Sequence, residues 1–122
     1  MILTVPTAAT CYALHERVVG DATATTLSTT SNRVPERETW LIQHIAVYND
    51  TTDDAECQVS IDLSGFNHVI ATTGPLAATE YYAIQLDLLL MPRDRLRFDW
   101  TSIASGDHLE MHITGIRIKE TD

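Results

Sequence analysis

From Arg95 onward the chain alternates residue by residue. Leu96, Phe98 and Trp100 fall on one side, and Arg95, Arg97, Asp99 and Thr101 on the other. Successive side chains of a strand point to opposite faces, so this spacing predicts a strand with one buried and one solvated face. Ser105-Gly106-Asp107 supplies turn chemistry. After it Leu109, Met111 and Ile113 read inward, and His108, Glu110, His112 and Thr114 outward. The stretch 88–118 thus reads as an apolar run, Leu88-Leu89-Leu90-Met91, stopped by Pro92-Arg93-Asp94, and then two strands joined by a tight connection. Beyond Thr114 the inward parity moves to Ile116 and Ile118. A β-bulge at Gly115 accounts for the slip, since a bulge adds one residue to one strand.

The same reading applies upstream. Glu38 to Tyr48 carries Trp40, Leu41, Ile42, Ile45, Val47 and Tyr48, apolar on both faces, and predicts a strand covered on both sides. Asn49 to Ala55 is a polar surface loop. Cys57, Val59, Ile61 and Leu63 alternate inward with Glu56, Gln58, Ser60 and Asp62 outward, up to Ser64. Phe66 to Thr72 is a further short strand, and Thr73-Gly74-Pro75 turns the chain. Tyr82, Ile84 and Leu86 alternate with Tyr81, Ala83, Gln85 and Asp87. Ala77 to Glu80 is too short for a stable helix. Short strands at regular spacing without a helical period predict an all-β fold, an antiparallel β-sandwich, most simply jelly-roll-like.

Residues 1–38 differ in composition. Tyr12 to Val19 is a mixed run compatible with a strand, and Asp21 to Asn32 is rich in Thr, Ser and Ala. Two readings stand side by side: an extended strand with a long loop, or an arm that orders on a neighbouring subunit. The chain accordingly divides into an N-terminal strand with a Thr/Ser-rich loop or arm, 1–38, and a β-sandwich domain, 39–122.

At 122 residues a single core is feasible without disulfides or metal. The net charge of −9 and the single lysine, Lys119, argue against nucleic acid as partner, because phosphate neutralisation needs clustered basic residues. The acidic balance also repels anionic membranes. No apolar run is long enough to span a bilayer. Met1 to Pro6 lacks the basic n-region of a signal peptide, and Ala8-Ala9-Thr10-Cys11 departs from a lipoprotein cleavage box, so synthesis in the cytoplasm is the expectation. Cys57 falls on an inward face and reads as a small buried hydrophobe; a Cys11–Cys57 disulfide is the alternative.

Candidate chemistry is sparse. His108, Glu110 and His112 share one strand face; alternate residues there lie close enough for two ligands to meet one metal, but three do not easily converge from one straight strand, and a solvated outer face is the default reading. Asp50, Asp53 and Asp54 depart from calcium-loop spacing. Asp94, Asp99 and Glu80 do not pair as acid and base, and there is no glycine-rich phosphate loop. The composition therefore points to no catalytic residues, no cofactor and no enzyme. Trp40, Tyr48 and Tyr81, with Leu27 and Val34, are the candidate subunit-interface residues. The aromatic three alternatively line a second buried face or form a sugar platform.

Several segments bear a resemblance. Trp40-Leu41-Ile42-Gln43-His44-Ile45-Ala46-Val47-Tyr48-Asn49 is similar to a strand in small structural proteins of tailed bacteriophages, where a Trp-led strand ends in Asn before a polar loop and a Val/Ile-rich strand, here Val59 to Leu63. Leu88 to Leu96 resembles their apolar run followed by Pro-Gly-Asp-x-Leu, with Arg93 in place of the glycine. Ser105-Gly106-Asp107-x-Leu109 and Ile113-Thr114-Gly115-Ile116 fit their closing strands. The likeness covers roughly residues 38–120. It implies a virion component that works by interface burial, first a capsid decoration (cement) protein. Such a protein forms a homo-oligomer, a trimer by preference, and clamps the major capsid protein, with the Thr-rich arm reaching across. A tail, neck or baseplate ring component is the first alternative, and a carbohydrate- or receptor-binding β-sandwich the second.

Overall fold

The computed structural model describes residues 9–63 and 66–120. The N-terminal run Met1 to Pro6, Ala8 and the strand-end Ser64 lie outside the described residues. Among the described residues there are eight strands and no helix: β1 (Ala9–Asp21), β2 (Thr26–Thr30), β3 (Glu38–Asn49), β4 (Glu56–Asp62), β5 (Asn67–Thr72), β6 (Tyr82–Leu90), β7 (Arg95–Thr101) and β8 (His108–Glu120). They form two four-stranded antiparallel sheets, ordered β1-β8-β3-β6 and β2-β7-β4-β5. The fold is an antiparallel β-sandwich. Each strand of the first half pairs with its counterpart in the second: β1 with β8, β2 with β7, β3 with β6 and β4 with β5. That is the pairing of a long ribbon folded at the β4–β5 connection and rolled so that successive pairs fall in alternate sheets.

The alternation of β7 and β8 sets the core. Leu96, Phe98 and Trp100 from one sheet meet Leu109, Met111 and Ile113 from the other, all buried. The Trp100 indole N–H points at the Met111 sulfur, 3.1 Å away across the interior. Each large apolar side chain buried here stabilises the fold by about 1.5–3 kcal/mol. Cys57 and Val59 of β4 join them, and both Cys57 and the exposed Cys11 are free thiols. Burial pushes the Cys57 thiol far above its ordinary range.

β7 and β8 do not form the hairpin that the tight connection predicts. They lie in opposite sheets, and Ser102 to Asp107 carries the chain between them. That crossing is pinned by the buried Asp107 carboxylate, which accepts the Ala104 N–H at 2.9 Å and the Asn49 side-chain amide at 3.1 Å.

The slip near Gly115 belongs to the neighbouring strand. β8 keeps unbroken register against β1, whereas β3 carries the extra residue, Gln43, between Ile42 and His44. Hence Ile116 and Ile118 do not rejoin the core; they stay on the outward parity, half-buried. The outward side chains of β3, Leu41, Ala46 and Tyr48, are likewise half-buried, so the strand is fully covered on its inner face alone. Leu63 lies just beyond the end of β4 and is 41% exposed, not inward. Asp62 faces outward as its parity predicts, yet it is covered: Arg95 Nε donates to it at 2.7 Å and Arg33 lies 3.7 Å away.

Residues 9–38 are built into the sandwich and do not form an appendage. β1 is an edge strand of one sheet and β2 of the other. The Thr-rich segment is held by local chemistry that its composition hides. Ser28 Oγ–H donates to Asp99, Ser31 Oγ accepts the Leu96 N–H at 3.0 Å, and Val34 fills the core.

Candidate functional site

The outer face of the β1-β8-β3-β6 sheet gathers the three candidate ligands that the sequence singled out, His108, Glu110 and His112. β1 and β8 run together for 13 residues, with Arg17 opposite His112 and His15 opposite Thr114. His15 and His112 are therefore diagonal neighbours on one face, within reach of each other. His15 Nε2 lies 3.2 Å from His112 Nδ1, and the rings stack with centroids 5.5 Å apart.

Glu110, the next outward residue on β8, anchors this row. Its carboxylate accepts from Arg17 Nε at 2.7 Å, from His112 Nε2 at 3.2 Å and from His108 Nε2 at 3.2 Å. Chiefly the Arg17 guanidinium, helped by the two imidazoles, holds the Glu110 carboxyl down at about 2. His108 Nδ1 faces Asp21 at 2.9 Å. Held between two carboxylates, first Asp21 and then Glu110, His108 titrates above its ordinary value. Tyr81 sits edge-on to His112, centroids 5.8 Å apart, and stacks on Tyr48 at 4.7 Å.

His108, Glu110 and His112 do share the face that alternation assigned them. Glu110 stands between the two rings as their common acceptor, so the three do not surround a shared centre. Among the described residues no group of three or more His, Cys, Asp or Glu is placed to hold a metal ion. The sequence reading missed His15, Arg17 and Asp21, which lie on β1. The signal was the parity of His15, Arg17, Val19 and Asp21 against the buried Leu14 and Val18.

The five candidate interface residues separate. Trp40 and Val34 are 5% and 2% exposed and belong to the core, so their side chains are not on the surface, whereas Leu27, on edge strand β2, packs against the core and stays half-buried. The Trp40 indole N–H donates to the buried Glu38 carboxylate, which also takes Arg117 Nε at 2.8 Å. Tyr48 and Tyr81 remain together on the outer face, Tyr81 56% exposed.

The acidic loop is tied to backbone elsewhere in the fold. Asp50 accepts the His108 N–H at 2.9 Å, which with the Thr51 hydroxyl lowers its pKa, and Asp53 accepts the Ala78 N–H at 2.8 Å. Asp94 accepts the Met91 N–H, and Asp99 takes Ser28 and Arg97. A cleft beside β1 holds Glu16, Asn32, Arg33, Trp40 and Arg117. Burial raises the Glu16 carboxyl, against the opposing pull of the Asn32 N–H and Arg117. The cleft is open; its single carboxyl accepts the Asn32 N–H on Oε1 at 2.9 Å, and its Oε2 is buried with no hydrogen-bond partner among the described residues. No protein-family model matches the chain, and no curated protein matches it.

Proposed function

We propose that the chain is a non-enzymatic virion structural protein, a capsid decoration protein that forms a homotrimer and stabilises the major-capsid lattice. The observation that carries this reading is an apolar row on the outer sheet face. Ala13, Ile116, Leu41 and Leu89 stand opposite one another across all four strands, with Cys11 and Ile118 in the next outward row. Ala13, Cys11 and Leu89 are exposed and the other three half-buried. An apolar row four strands wide on a solvated sheet is the kind of surface that a subunit contact buries.

The rolled strand order, which we read as a jelly roll, and the resemblance of 38–120 to phage structural proteins support the same reading. Closed symmetry repeats one modest contact many times, so weak interfaces add up on a shell. The excess of acidic residues suits a solvent-facing particle surface. A glycan- or receptor-binding module is the second reading, favoured by the exposed Tyr81 ring beside Tyr48.

The test is the native mass by light scattering, for the wild type and for Ile118→Glu. A trimer that becomes a folded monomer in the variant supports the decoration reading through this face. A hexamer or larger ring transfers the chain to a tail, neck or baseplate position. A monomer that binds a glycan, with binding lost in Tyr81→Ala, replaces the assembly reading with a binding module.

A further inference from the structure

We infer that His15 and His112 form a two-imidazole chelate for a borderline divalent transition-metal ion, of the zinc, copper or nickel class, on the outer sheet face. This stands apart from the assembly reading. Zinc binds imidazole nitrogen at about 2.0–2.1 Å, so two nitrogens of one tetrahedral ion stand about 3.3 Å apart. His15 Nε2 and His112 Nδ1 are 3.2 Å apart. The two nitrogens face each other and converge on one ion by side-chain rotation, chiefly of His15, which is exposed, whereas the His112 ring, 23% exposed, is held by Glu110.

The surroundings of His112 favour a ligand. Its Nε2 faces the Glu110 carboxylate at 3.2 Å. On its other side the Glu110 carboxylate is ion-paired with Arg17 Nε at 2.7 Å. An ionised carboxylate only accepts, so in neutral His112 we assign the proton to Nε2 and the bare lone pair to Nδ1, the atom facing His15. Carboxylate, imidazole and open lone pair in line is the outer-shell arrangement that fixes the tautomer of metal-binding histidines and raises their basicity. Without metal, His15 Nε2–H donates across the gap. With metal, His15 carries its proton on Nδ1 and offers Nε2. The neutral pair then binds without net proton release, and each ring supplies one electron pair.

Imidazole selects zinc, copper and nickel over magnesium and calcium, which prefer oxygen ligands. Two protein ligands leave the remaining positions to water. That matches the finding that no third His, Cys, Asp or Glu among the described residues completes the set.

The experiment is calorimetric titration of zinc chloride into the full-length chain, in a non-coordinating buffer near neutral pH. One zinc ion per chain is expected. His15→Ala and His112→Ala each abolish that binding, and Glu110→Gln weakens it about tenfold or more. His68→Ala, on β5 of the other sheet, leaves it unchanged. In parallel, zinc shifts the ring-proton NMR signals of His15 and His112 in the wild type and not those of His68, a readout that needs no variant to fold. Absence of zinc binding by the wild type, or binding that survives both histidine substitutions, overturns the site. Zinc-induced shifts confined to other histidines overturn it equally.

Discussion

Gly115 lies directly against the Leu41 carbonyl: a Cβ built on it would stand 1.9 Å from that oxygen. The extra residue of β3, Gln43, lies at this point of the ladder, and glycine is the residue that admits the approach of the Leu41 carbonyl. The neighbour is backbone, which has no rotamer to yield. Gly115→Ala should therefore destabilise the protein by about 3 kcal/mol or more, at the upper end of overpacking costs. Urea unfolding of the variant checks this, and an unchanged midpoint would mean that the strands separate freely at the bulge.

Arg93 adopts φ of 74°, and the Asp94 N–H donates to the Met91 carbonyl at 3.0 Å. Proline second and positive φ third is the combination of a type II turn, which favours glycine in that place. The Arg93 backbone contacts with Val34 and Arg33 do not need its side chain, and its ion pair with Glu36 is exposed on both sides and weak. Arg93→Gly should raise stability by roughly 0.5–1 kcal/mol, since the relief of left-handed strain exceeds the chain entropy that glycine adds. A lowered thermal midpoint would show that the Glu36 pair matters more than the backbone.

Trp40 is a core residue, so its truncation should act on the fold and not on association. Trp40→Ala is expected to cost about 3–5 kcal/mol in chemical denaturation, within the range for buried aromatic truncations. It also strands the buried Glu38 carboxylate with one partner fewer. Native-like stability with lost association would contradict the burial.

The Glu110 row makes stability depend on pH in a defined sense. The Glu110 carboxyl is depressed from 4.5 to about 2, so its contribution is present above pH 4.5 and is lost as the pH falls toward 2. His108 is raised above 6.5, so its contribution is full below 6.5 and is lost as the pH rises through its folded value. Asp50 is lowered, and so is Asp107, where bonds from Thr52, Ala104 and Asn49 outweigh the raising effect of burial; both steepen the acid limb. Glu16, raised by burial, acts in the opposite sense. The thermal midpoint of the wild type relative to Glu110→Gln should be greatest between about pH 4.5 and 6.5 and should shrink on either side. Parallel curves across that range would show that the row carries no linked protons.

Burial direction was legible in the sequence wherever one strand decides it. Leu96, Phe98, Trp100, Leu109, Met111, Ile113, Cys57 and Val59 all turned inward as their alternation predicts, because a period of two is a local property of extended backbone. So was the β-sandwich class, which follows from many short alternating runs without a helical period. The sheet that each strand joins was not legible. Nothing within β7 or β8 tells a hairpin from a crossing between sheets, since both bury the same residues. Alternation along β8 alone points to a bulge at Gly115, where glycine stands, whereas the extra residue is Gln43 on the strand whose carbonyl the glycine accommodates. The Thr-rich segment reads equally as a strand with a long loop or as an arm, because the partners that Ser28 and Ser31 find on β7 lie 71 and 65 residues away. His15 and His112 are 97 residues apart and meet only because β1 pairs with β8. Alternation therefore determined the faces of this protein, and non-local strand pairing alone decided which faces, and which histidines, come together.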